Sequence, residues 1–237
     1  MKFLIIFSLI FSFSFASIAQ EVLLSESFKT DTVKSNFGPN KTHYIMLYTG
    51  YGVFVSPANN GSNINTSLSN DYRIGARYKL KLCNWEAIGF DVYYNSNNFN
   101  LKQSKQKTLP NKTLHDKEKL ATNNVAFDLF NRINFGKRGN ILGKYLDLGF
   151  YFSYNFGAKH VYKDTFSAVS NAFATKNKIV NRGLIYLSDY NYGPIIRLGN
   201  NRYLLYAQYR MTKYFKSGFN FADMPNIVAG IQVAFTK

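Results

Sequence analysis

Cysteine, histidine and acidic residues are scarce in this sequence. One cysteine among 237 residues excludes an intramolecular disulfide, and three scattered histidines give no spacing typical of a metal site. We therefore expect neither a metal nor another cofactor. Only 13 Asp and Glu stand against 29 Lys and Arg, and the formal net charge is +16. In a cytosolic protein such an excess would suggest nucleic acid as a partner.

Long apolar runs are absent except at the N-terminus. Residues 1–19 are typical of a cleaved signal peptide, with Lys2 before an apolar stretch and small residues at Ser17 and Ala19. We therefore expect export, after which surface phosphates and polysaccharides, and not nucleic acid, are the available polyanions. No later apolar stretch reaches the roughly 18 residues that a membrane-spanning helix needs, which excludes a helical membrane protein.

Alternation of apolar and polar residues is abundant. Within residues 226–235 every second side chain is apolar, which is the period of a strand with one face in an apolar environment. These side chains belong to Ile227, Ala229, Ile231, Val233 and Phe235. A strand of about ten residues is long enough to cross a bilayer when it is tilted. Residues 72–82 alternate more sharply still, with cations on one face and Tyr, Ile and Leu on the other.

Eight alternating segments are predicted, and the connections between them are alternately long and short. The predicted strands cover residues 43–55, 72–82, 86–95, 124–135, 144–156, 189–198, 202–211 and 226–235. Residues 96–120 and 157–188 are the longest predicted loops, and Phe166, Val169 and Phe173 have the spacing of a short helix within the second. Aromatic residues make up 17% of the chain, a content that suits the interfacial girdles and lipid face of a membrane barrel.

The pattern from about His43 to Phe235 resembles the small eight-stranded outer-membrane β-barrels of bacteria, the OmpX-like and OmpA-like group and its relatives in Bacteroidetes-type bacteria. The resemblance implies an all-β fold, an eight-stranded antiparallel up-and-down transmembrane β-barrel with short periplasmic turns and long external loops. It also implies a signal peptide (1–19), a periplasmic segment (20–42) and a barrel (43–237). In this family the assembly machinery reads a terminal aromatic residue. Here Thr236 and Lys237 follow Phe235, which departs from that pattern.

The interior of an eight-stranded barrel is just wide enough for side chains to fill it. The charged residues expected there are Arg73, Arg77, Lys79, Lys81, Asp91, Asp128, Arg132, Asp147, Arg197 and Arg210. The three-residue turn at 83–85 sets Arg77 opposite Asp91. If Phe135 pairs with Lys144, Arg132 lies opposite Asp147. The network is either a salt-bridged plug or, because its cations outnumber its acids, a narrow anion-preferring channel. A soluble barrel such as a lipocalin, with its apolar face inside, is the alternative architecture.

Lysines cluster in the predicted loop that precedes the fourth strand. They are Lys102, Lys105, Lys107, Lys112, Lys117 and Lys119. The cluster is either an ordinary solvated loop or a surface that contacts lipopolysaccharide phosphates or acidic glycans.

The sequence predicts a non-enzymatic outer-membrane protein that presents external loops for surface interaction or serves an envelope or secretion complex. Expected partners are outer-membrane lipid, lipopolysaccharide, the barrel-assembly machinery, and surface glycans or envelope proteins. The alternative is a lipid-modifying enzyme that releases or transfers an acyl chain. His43, His115 and His160 show no spacing that singles out a catalytic site. Pro194, predicted opposite Ala207, indicates either a local bulge or a weakened pairing of the sixth strand with a neighbouring strand, through which an acyl chain could enter.

Overall fold

The computed structural model describes residues 35–55, 64–105, 107–136, 139–165, 176–219 and 221–235. Over these residues the fold is all-β, and no helix is long and apolar enough to cross a membrane. The strands are β1 (His43–Val55), β2 (Asn70–Lys81), β3 (Glu86–Asn100), β4 (Lys117–Phe135), β5 (Lys144–Thr165), β6 (Lys176–Arg182), β7 (Tyr190–Asn200), β8 (Tyr203–Tyr209) and β9 (Ile227–Phe235). The predicted signal peptide and the predicted helix at 166–173 lie outside the described residues.

Eight of the nine strands form a closed antiparallel ring. Strands β1 to β5 pair in chain order, β5 pairs with β7, and the ring continues through β8 and β9 back to β1. Strand β6 lies outside the ring and pairs with the distal part of β5, residues 159–165. The prediction of an all-β, antiparallel, barrel-like fold is therefore confirmed, with one strand more than the sequence predicts.

The ring has charged side chains inside and apolar side chains outside. In β2, Arg73 is 0% exposed, whereas its neighbours Tyr72 and Ile74 are 44% and 48% exposed. Successive side chains of a strand point to opposite faces, so the alternation in sequence becomes a division between inside and outside. Every ring strand exposes large apolar residues, for example Leu47, Ile74, Phe90, Leu129, Phe150, Ile196, Leu205 and Ile231.

Parts of the two longest predicted loops are strand in the structure. The sequence predicts a loop over 96–120, but β3 continues to Asn100 and β4 begins at Lys117. It predicts a second loop over 157–188, where β5 continues to Thr165 and β6 follows. Both faces of these extensions carry polar residues. Apolar and polar residues therefore do not alternate there, although the backbone still pairs.

The turn between β7 and β8 lies one residue later than the sequence predicts. The predicted register that places Pro194 opposite Ala207 also places Leu198 beside Tyr203. In the structure Leu198 pairs with Leu205, and Asn200 pairs with Tyr203. Asn201 lies in this turn with a φ of 52°, a left-handed conformation that asparagine tolerates better than most residues. The register changes by two residues, so each side chain keeps its predicted face.

Pro194 has different neighbours from those predicted. Ile196, and not Pro194, lies opposite Ala207. On its other side Pro194 lies opposite Phe150, within a ladder between β5 and β7 that runs without a break from residue 144 to 154 of β5. The structure therefore shows no weakness of that pairing at the proline.

The pairing between β7 and β8 is interrupted next to Pro194. The regular ladder ends where Ile195 pairs with Gln208. Beyond it, the Met211 amide donates to the Tyr192 carbonyl at 2.9 Å. A proline has no amide hydrogen to give to a neighbouring strand, which accounts for an interruption at this position. The gap is local, because hydrogen bonds lie on both sides of it.

Candidate functional site

A dense network of charged side chains fills the interior of the ring. We call it the interior charge network, and its members are Asp71, Arg73, Arg77, Asp91, Asp128, Arg132, Asp147 and Arg197. All of these residues are at most 1% exposed. An unpaired ion in such surroundings costs several kcal/mol, so the arrangement is stable only if the charges compensate one another.

Two ion pairs of the network join residues that the sequence analysis places opposite each other. Arg132 donates from Nε and Nη2 to the two carboxylate oxygens of Asp147, at 2.6 and 2.8 Å. Arg77 donates from Nε and Nη2 to Oδ2 of Asp91, at 3.0 and 2.7 Å. Both pairs join residues that are directly opposite on neighbouring strands. The three-residue turn at 83–85 fixes the register of Arg77 and Asp91. The other pair is predicted on the condition that Phe135 pairs with Lys144, and the structure shows that pairing.

Arg197 joins a third pair across the interior. Its Nη2 donates to Oδ2 of Asp128 and lies 3.4 Å from Oδ2 of Asp91. Asp91 and Asp128 are opposite each other on β3 and β4, so two carboxylates that would repel share a cation from β7. Pairings of this kind between distant strands do not follow from turn lengths.

The fourth pair contains an acid that the sequence analysis misses. Asp71 is predicted in a loop, but it belongs to β2 and accepts hydrogen bonds from Arg73 Nε and Nη2, both at 2.9 Å. Asp71 continues the inward series of odd-numbered residues in this strand, and that parity was the available signal. With Asp71 included, the network has equal numbers of arginines and aspartates. The excess of cations that would favour an anion-preferring channel is therefore not found in the centre of the ring.

The remaining predicted interior cations lie nearer the two ends of the ring. Lys79 and Lys81 are at the end with the short turns, where their ammonium groups donate to backbone carbonyls of residues 39–41. Arg210 lies at the other end and pairs with Asp223 at 3.1 Å. All three cations therefore have hydrogen-bond acceptors nearby, although only Arg210 has an acid as its partner.

Aromatic rings fill the space between the guanidinium groups. The guanidinium carbon of Arg132 lies 3.7 Å from the centre of the Tyr145 ring, and that of Arg73 lies 4.0 Å from the Tyr206 ring. A Cβ atom on Gly199 would come within 2.1 Å of the Tyr145 ring. Glycine at this position therefore makes room for the ring that covers Arg132.

A small polar cavity lies between the network and the loops of the far end. Its volume is about 30 Å³, enough for one or two water molecules and too small for a substrate. Asn95 Oδ1 and Gln208 Oε1 line it and have no hydrogen-bond partner among the described residues. Water is the simplest donor for these two oxygens.

Lys107 does not belong to the exposed basic cluster that the sequence predicts. Its side chain is 3% exposed and forms an ion pair with Glu118 of β4. Glu118 also accepts a hydrogen bond from Gln103 Nε2 at 2.8 Å, and its Oε1 lies 2.7 Å from His160 Nε2. Burial alone would raise the pKa of Glu118, but the hydrogen bonds from His160, Lys107 and Gln103 outweigh it and hold the pKa below its usual 4.5.

The other five lysines of the predicted cluster fall into two groups. Lys117 and Lys119 are in β4. Lys102, Lys105 and Lys112 are exposed in the segment between β3 and β4. The structure therefore does not bring the six lysines together into one surface.

Two of the three histidines are paired with carboxylates. His115 Nδ1 lies 2.9 Å from both oxygens of Asp164, and His160 is paired with Glu118. His43 Nδ1 lies 2.7 Å from the Tyr78 hydroxyl. Among the described residues, no Ser, Thr or Cys side chain hydrogen-bonds a histidine ring, and no group of three or more His, Cys, Asp and Glu could hold a metal.

The chain matches no protein-family model, and no curated protein is significantly similar to it. Its resemblance to small outer-membrane barrels therefore depends on the strand pattern alone. The geometry itself offers an apolar outer surface, a packed charged interior and polar strands that extend beyond the ring. Function has to be inferred from these features.

The predicted assembly signal lies on the strand that closes the ring. Strand β9 pairs with β1 on one side and β8 on the other. Its apolar residues lie on the outer face, where Ile231 and Phe235 are 55% and 61% exposed and Ile227, Ala229 and Val233 are half-buried. Recognition of this strand by an assembly machinery stays a prediction.

Proposed function

We propose that the protein is an integral outer-membrane barrel, as its resemblance implies, and that its function is not enzymatic. In this proposal the ring is an anchor that holds external strands and loops at the cell surface for interaction with envelope components. The single observation that carries the proposal is the apolar outer face of the ring. A water-soluble monomer rarely exposes a contiguous apolar patch above a few hundred Å², whereas here every ring strand contributes to one.

The height of this apolar face fits a membrane. Along β5 the outward residues from Leu146 to Phe156 are all apolar, a distance of roughly 33 Å at about 3.3 Å per residue. A tilt of about 40° from the barrel axis reduces this to roughly 25 Å, which is the height of the apolar band of outer-membrane barrels. We call this surface the apolar belt.

The ends of the ring differ in the way that the proposal needs. Short turns at residues 82–85, 136–143 and 201–202 lie at one end. The extended parts of β4 and β5, together with β6, lie at the other. In outer-membrane barrels the short turns face the periplasm and the long connections face outward, so the extended strands would be external.

The packed interior supports an anchor better than a channel. Its arginines and aspartates compensate one another, and the polar cavity above them measures only about 30 Å³. A conducting path would need either a continuous cavity or side chains that move at low cost. Buried arginines that each make two hydrogen bonds leave no continuous cavity and do not move at low cost.

Cysteine labelling tests the proposal in intact cells. Cys83 is replaced by serine, and single cysteines are placed by Phe152→Cys in the apolar belt and Lys178→Cys in β6. A membrane-impermeant maleimide should label the Lys178→Cys protein at once, and the Phe152→Cys protein only after detergent extraction and unfolding. Equal labelling of both proteins before extraction, or recovery of the chain in a detergent-free soluble fraction, would refute the membrane assignment.

A lipid-directed enzyme is the second candidate, and the two histidine–carboxylate pairs favour it. A carboxylate that orients an imidazole is the usual support for a general base. The candidate also needs a nucleophile or a water molecule beside one of the two rings. Wild-type protein, His115→Gln and His160→Gln variants should be assayed for acyl release from phospholipid and lipid A. Absence of release by the wild type eliminates this candidate, whereas release that His160→Gln or His115→Gln abolishes would replace the non-enzymatic proposal.

A further inference from the structure

A three-stranded arm extends from the ring at the end opposite the short turns. It consists of residues 117–123 of β4, 157–165 of β5 and all of β6. The register places Lys117 opposite Lys163, and Lys163 opposite Lys178. Residues that are directly opposite in an antiparallel sheet share a face, so three lysines form a row across the arm.

The same face carries further cations. Because side chains alternate along each strand, the residues that share it with this row follow from the register. The cations of this outer arm face are Lys117, Lys119, Lys159, Lys163, Lys176, Lys178 and Arg182. All are exposed except Lys119, which is half-buried.

The acids of the arm lie on its opposite face. Glu118 and Asp164 alternate with the lysines and are paired there with His160 and His115. Asp116, just before β4, accepts a hydrogen bond from the Thr165 amide at 2.7 Å. Within the described part of the arm, no carboxylate therefore shares the outer arm face with the lysines.

An uncompensated row of lysines destabilises a sheet. Like charges directly opposite each other on neighbouring strands repel, and the strands are only about 4.8 Å apart. Burial lowers the pKa of Lys119, and the nearby charge of Lys159 lowers it further. A bound anion would remove the cost, so the outer arm face has the electrostatic character of an anion-binding surface.

The height of the outer arm face above the apolar belt indicates which kind of anion it would bind. The register between β4 and β5 shifts between Asn123 and Asn124. Before the shift the even-numbered residues of β5 face outward, and after it the odd-numbered ones do. The outer arm face is therefore on the same side of the sheet as the apolar belt and continues it away from the short turns. Phe156 is the last belt residue of β5. Lys159 lies roughly 10 Å and Lys163 roughly 23 Å further along the strand, at about 3.3 Å per residue. With the same tilt of about 40°, these lengths correspond to heights of roughly 8 and 18 Å above Phe156. Cations at these heights lie at and beyond the interfacial layer of a bilayer, which is roughly 5–8 Å thick on each side.

We propose that the outer arm face binds the phosphate-bearing headgroup of an anionic glycolipid in the leaflet that surrounds this end of the ring. The inference rests on the proposed membrane location and deepens it. A glycolipid fits better than a phospholipid because its sugar headgroup extends phosphates further from the acyl chains, to where the rows of cations lie. The acyl chains of the same molecule would contact the apolar belt directly below.

Two triple variants of equal charge test the proposal. In the face variant, Lys117→Gln, Lys163→Gln and Lys178→Gln remove the row of lysines. In the loop variant, Lys102→Gln, Lys105→Gln and Lys112→Gln remove the exposed lysines of the segment between β3 and β4. That segment packs on the opposite face of the arm. There Gln103 donates a hydrogen bond to Glu118, and the ring centres of His115 and Tyr162 are 4.2 Å apart.

The probe is lipopolysaccharide with a phosphorylated core oligosaccharide, titrated into the full chain in neutral maltoside micelles, with the same lipopolysaccharide after dephosphorylation as the reference lipid. Each lysine near an anionic lipid surface is worth about a fivefold change in binding, so the face variant should lose roughly 100-fold in affinity. The loop variant should bind as the wild type does. Higher salt should weaken binding by the wild type far more than binding by the face variant.

Several results would overturn the proposal. These are a loss confined to the loop variant, an equal loss in both variants, or no loss in either. Inorganic pyrophosphate that binds as tightly as the lipid would show a small-anion site, and a preference for single-stranded DNA would show a different polyanion. If the face variant fails to show the heat-modifiable migration of a folded barrel, a variant with arginine at the same three positions replaces it and must retain binding.

The test also separates this inference from the proposed function. A chain that passes the cysteine-labelling test but does not distinguish phosphorylated from dephosphorylated lipopolysaccharide is a membrane protein without this site. A chain that fails the labelling test loses both proposals.

Discussion

Removal of one carboxylate from the interior charge network should destabilise the ring strongly. Asp147→Asn is the most informative change, because both oxygens of Asp147 accept hydrogen bonds from Arg132, at 2.6 and 2.8 Å, and one of them also lies 4.0 Å from Arg77 Nη1. Asparagine keeps the size of the side chain and one acceptor oxygen but removes the charge. Arg132 is then left as a buried cation without its counter-ion.

The expected magnitude follows from the burial of the pair. The side chains of Arg132 and Asp147 are 1% and 0% exposed, so solvent cannot replace the lost carboxylate. Breaking a buried ion pair by removal of one partner costs about 3–5 kcal/mol, whereas replacing both partners by apolar residues is often close to neutral. The double variant Arg132→Met, Asp147→Leu should therefore be more stable than Asp147→Asn.

Urea titration of the protein in phosphatidylcholine vesicles measures both variants. The single tryptophan, Trp85, lies in the turn between β2 and β3 and is 59% exposed, so its fluorescence reports on whether this end of the ring is inserted. A free energy of unfolding for Asp147→Asn within about 1 kcal/mol of the wild type would refute the reasoning, because it would mean that water or another anion reaches Arg132.

Three further predictions follow from individual positions. Pro194→Val should raise the free energy of unfolding in urea by about 0.5–1.5 kcal/mol, because valine supplies an amide hydrogen where the pairing of β7 with β8 is interrupted; a lower value would show that the backbone there cannot approach β8. Ile231→Arg should cost about 2–4 kcal/mol in the same assay if the residue lies near the bilayer midplane, with Ile231→Leu as a nearly neutral control; equal stabilities would contradict lipid contact. The lowered pKa of Glu118 means that its contribution to stability is fully present above pH 4.5 and is lost as the pH falls through that lowered pKa. The protection of residues 107–120 against hydrogen exchange, corrected for the slower intrinsic exchange in acid, should therefore fall at low pH, and a Glu118→Gln variant should show no such fall.

The strands of the ring could be predicted from the sequence because the two faces of the ring differ in polarity, with charged side chains inside and apolar side chains outside. Tyr72 and Arg73 differ so much in polarity that a period of two is visible without a structure. The same rule fails in the arm, where Lys117 and Glu118 are both charged although they lie on opposite faces. The sequence therefore predicts a loop where β4 begins, and it does not predict β6.

The interior site was partly predictable for a related reason. A three-residue turn fixes the register that places Arg77 opposite Asp91, and the pairing of Arg132 with Asp147 follows once Phe135 is placed opposite Lys144. Arg197 contacts Asp91 and Asp128 across the ring, and such contacts depend on ring diameter and tilt, which local sequence does not encode.

The alternation of inward and outward residues along a strand is also a poor guide to the cost of a charged substitution at an inward position. Gln232 is on the inward face of β9, so the sequence pattern predicts that an arginine there costs less stability than an arginine at Ile231. In the structure Gln232 is 2% exposed, and its Oε1 accepts a hydrogen bond from Arg77 at 2.9 Å. A second cation at this position would face Arg77 without an acid to compensate it, so Gln232→Arg should be costly as well.

The connectivity of the interior charge network has a consequence for the order of folding. Through Asp91 and the residues bonded to it, hydrogen bonds join strands from distant parts of the chain: Tyr48 of β1 donates to Asp91 at 3.0 Å, Arg77 of β2 bridges Asp91 and Gln232 of β9, and Arg197 of β7 completes the circuit. A sheet that had entered the membrane with only some of these strands would carry guanidinium and carboxylate groups with no partner in an apolar medium. In the proposed membrane barrel each partial intermediate is therefore high in free energy, and we expect the strands to cross the bilayer together in one concerted step.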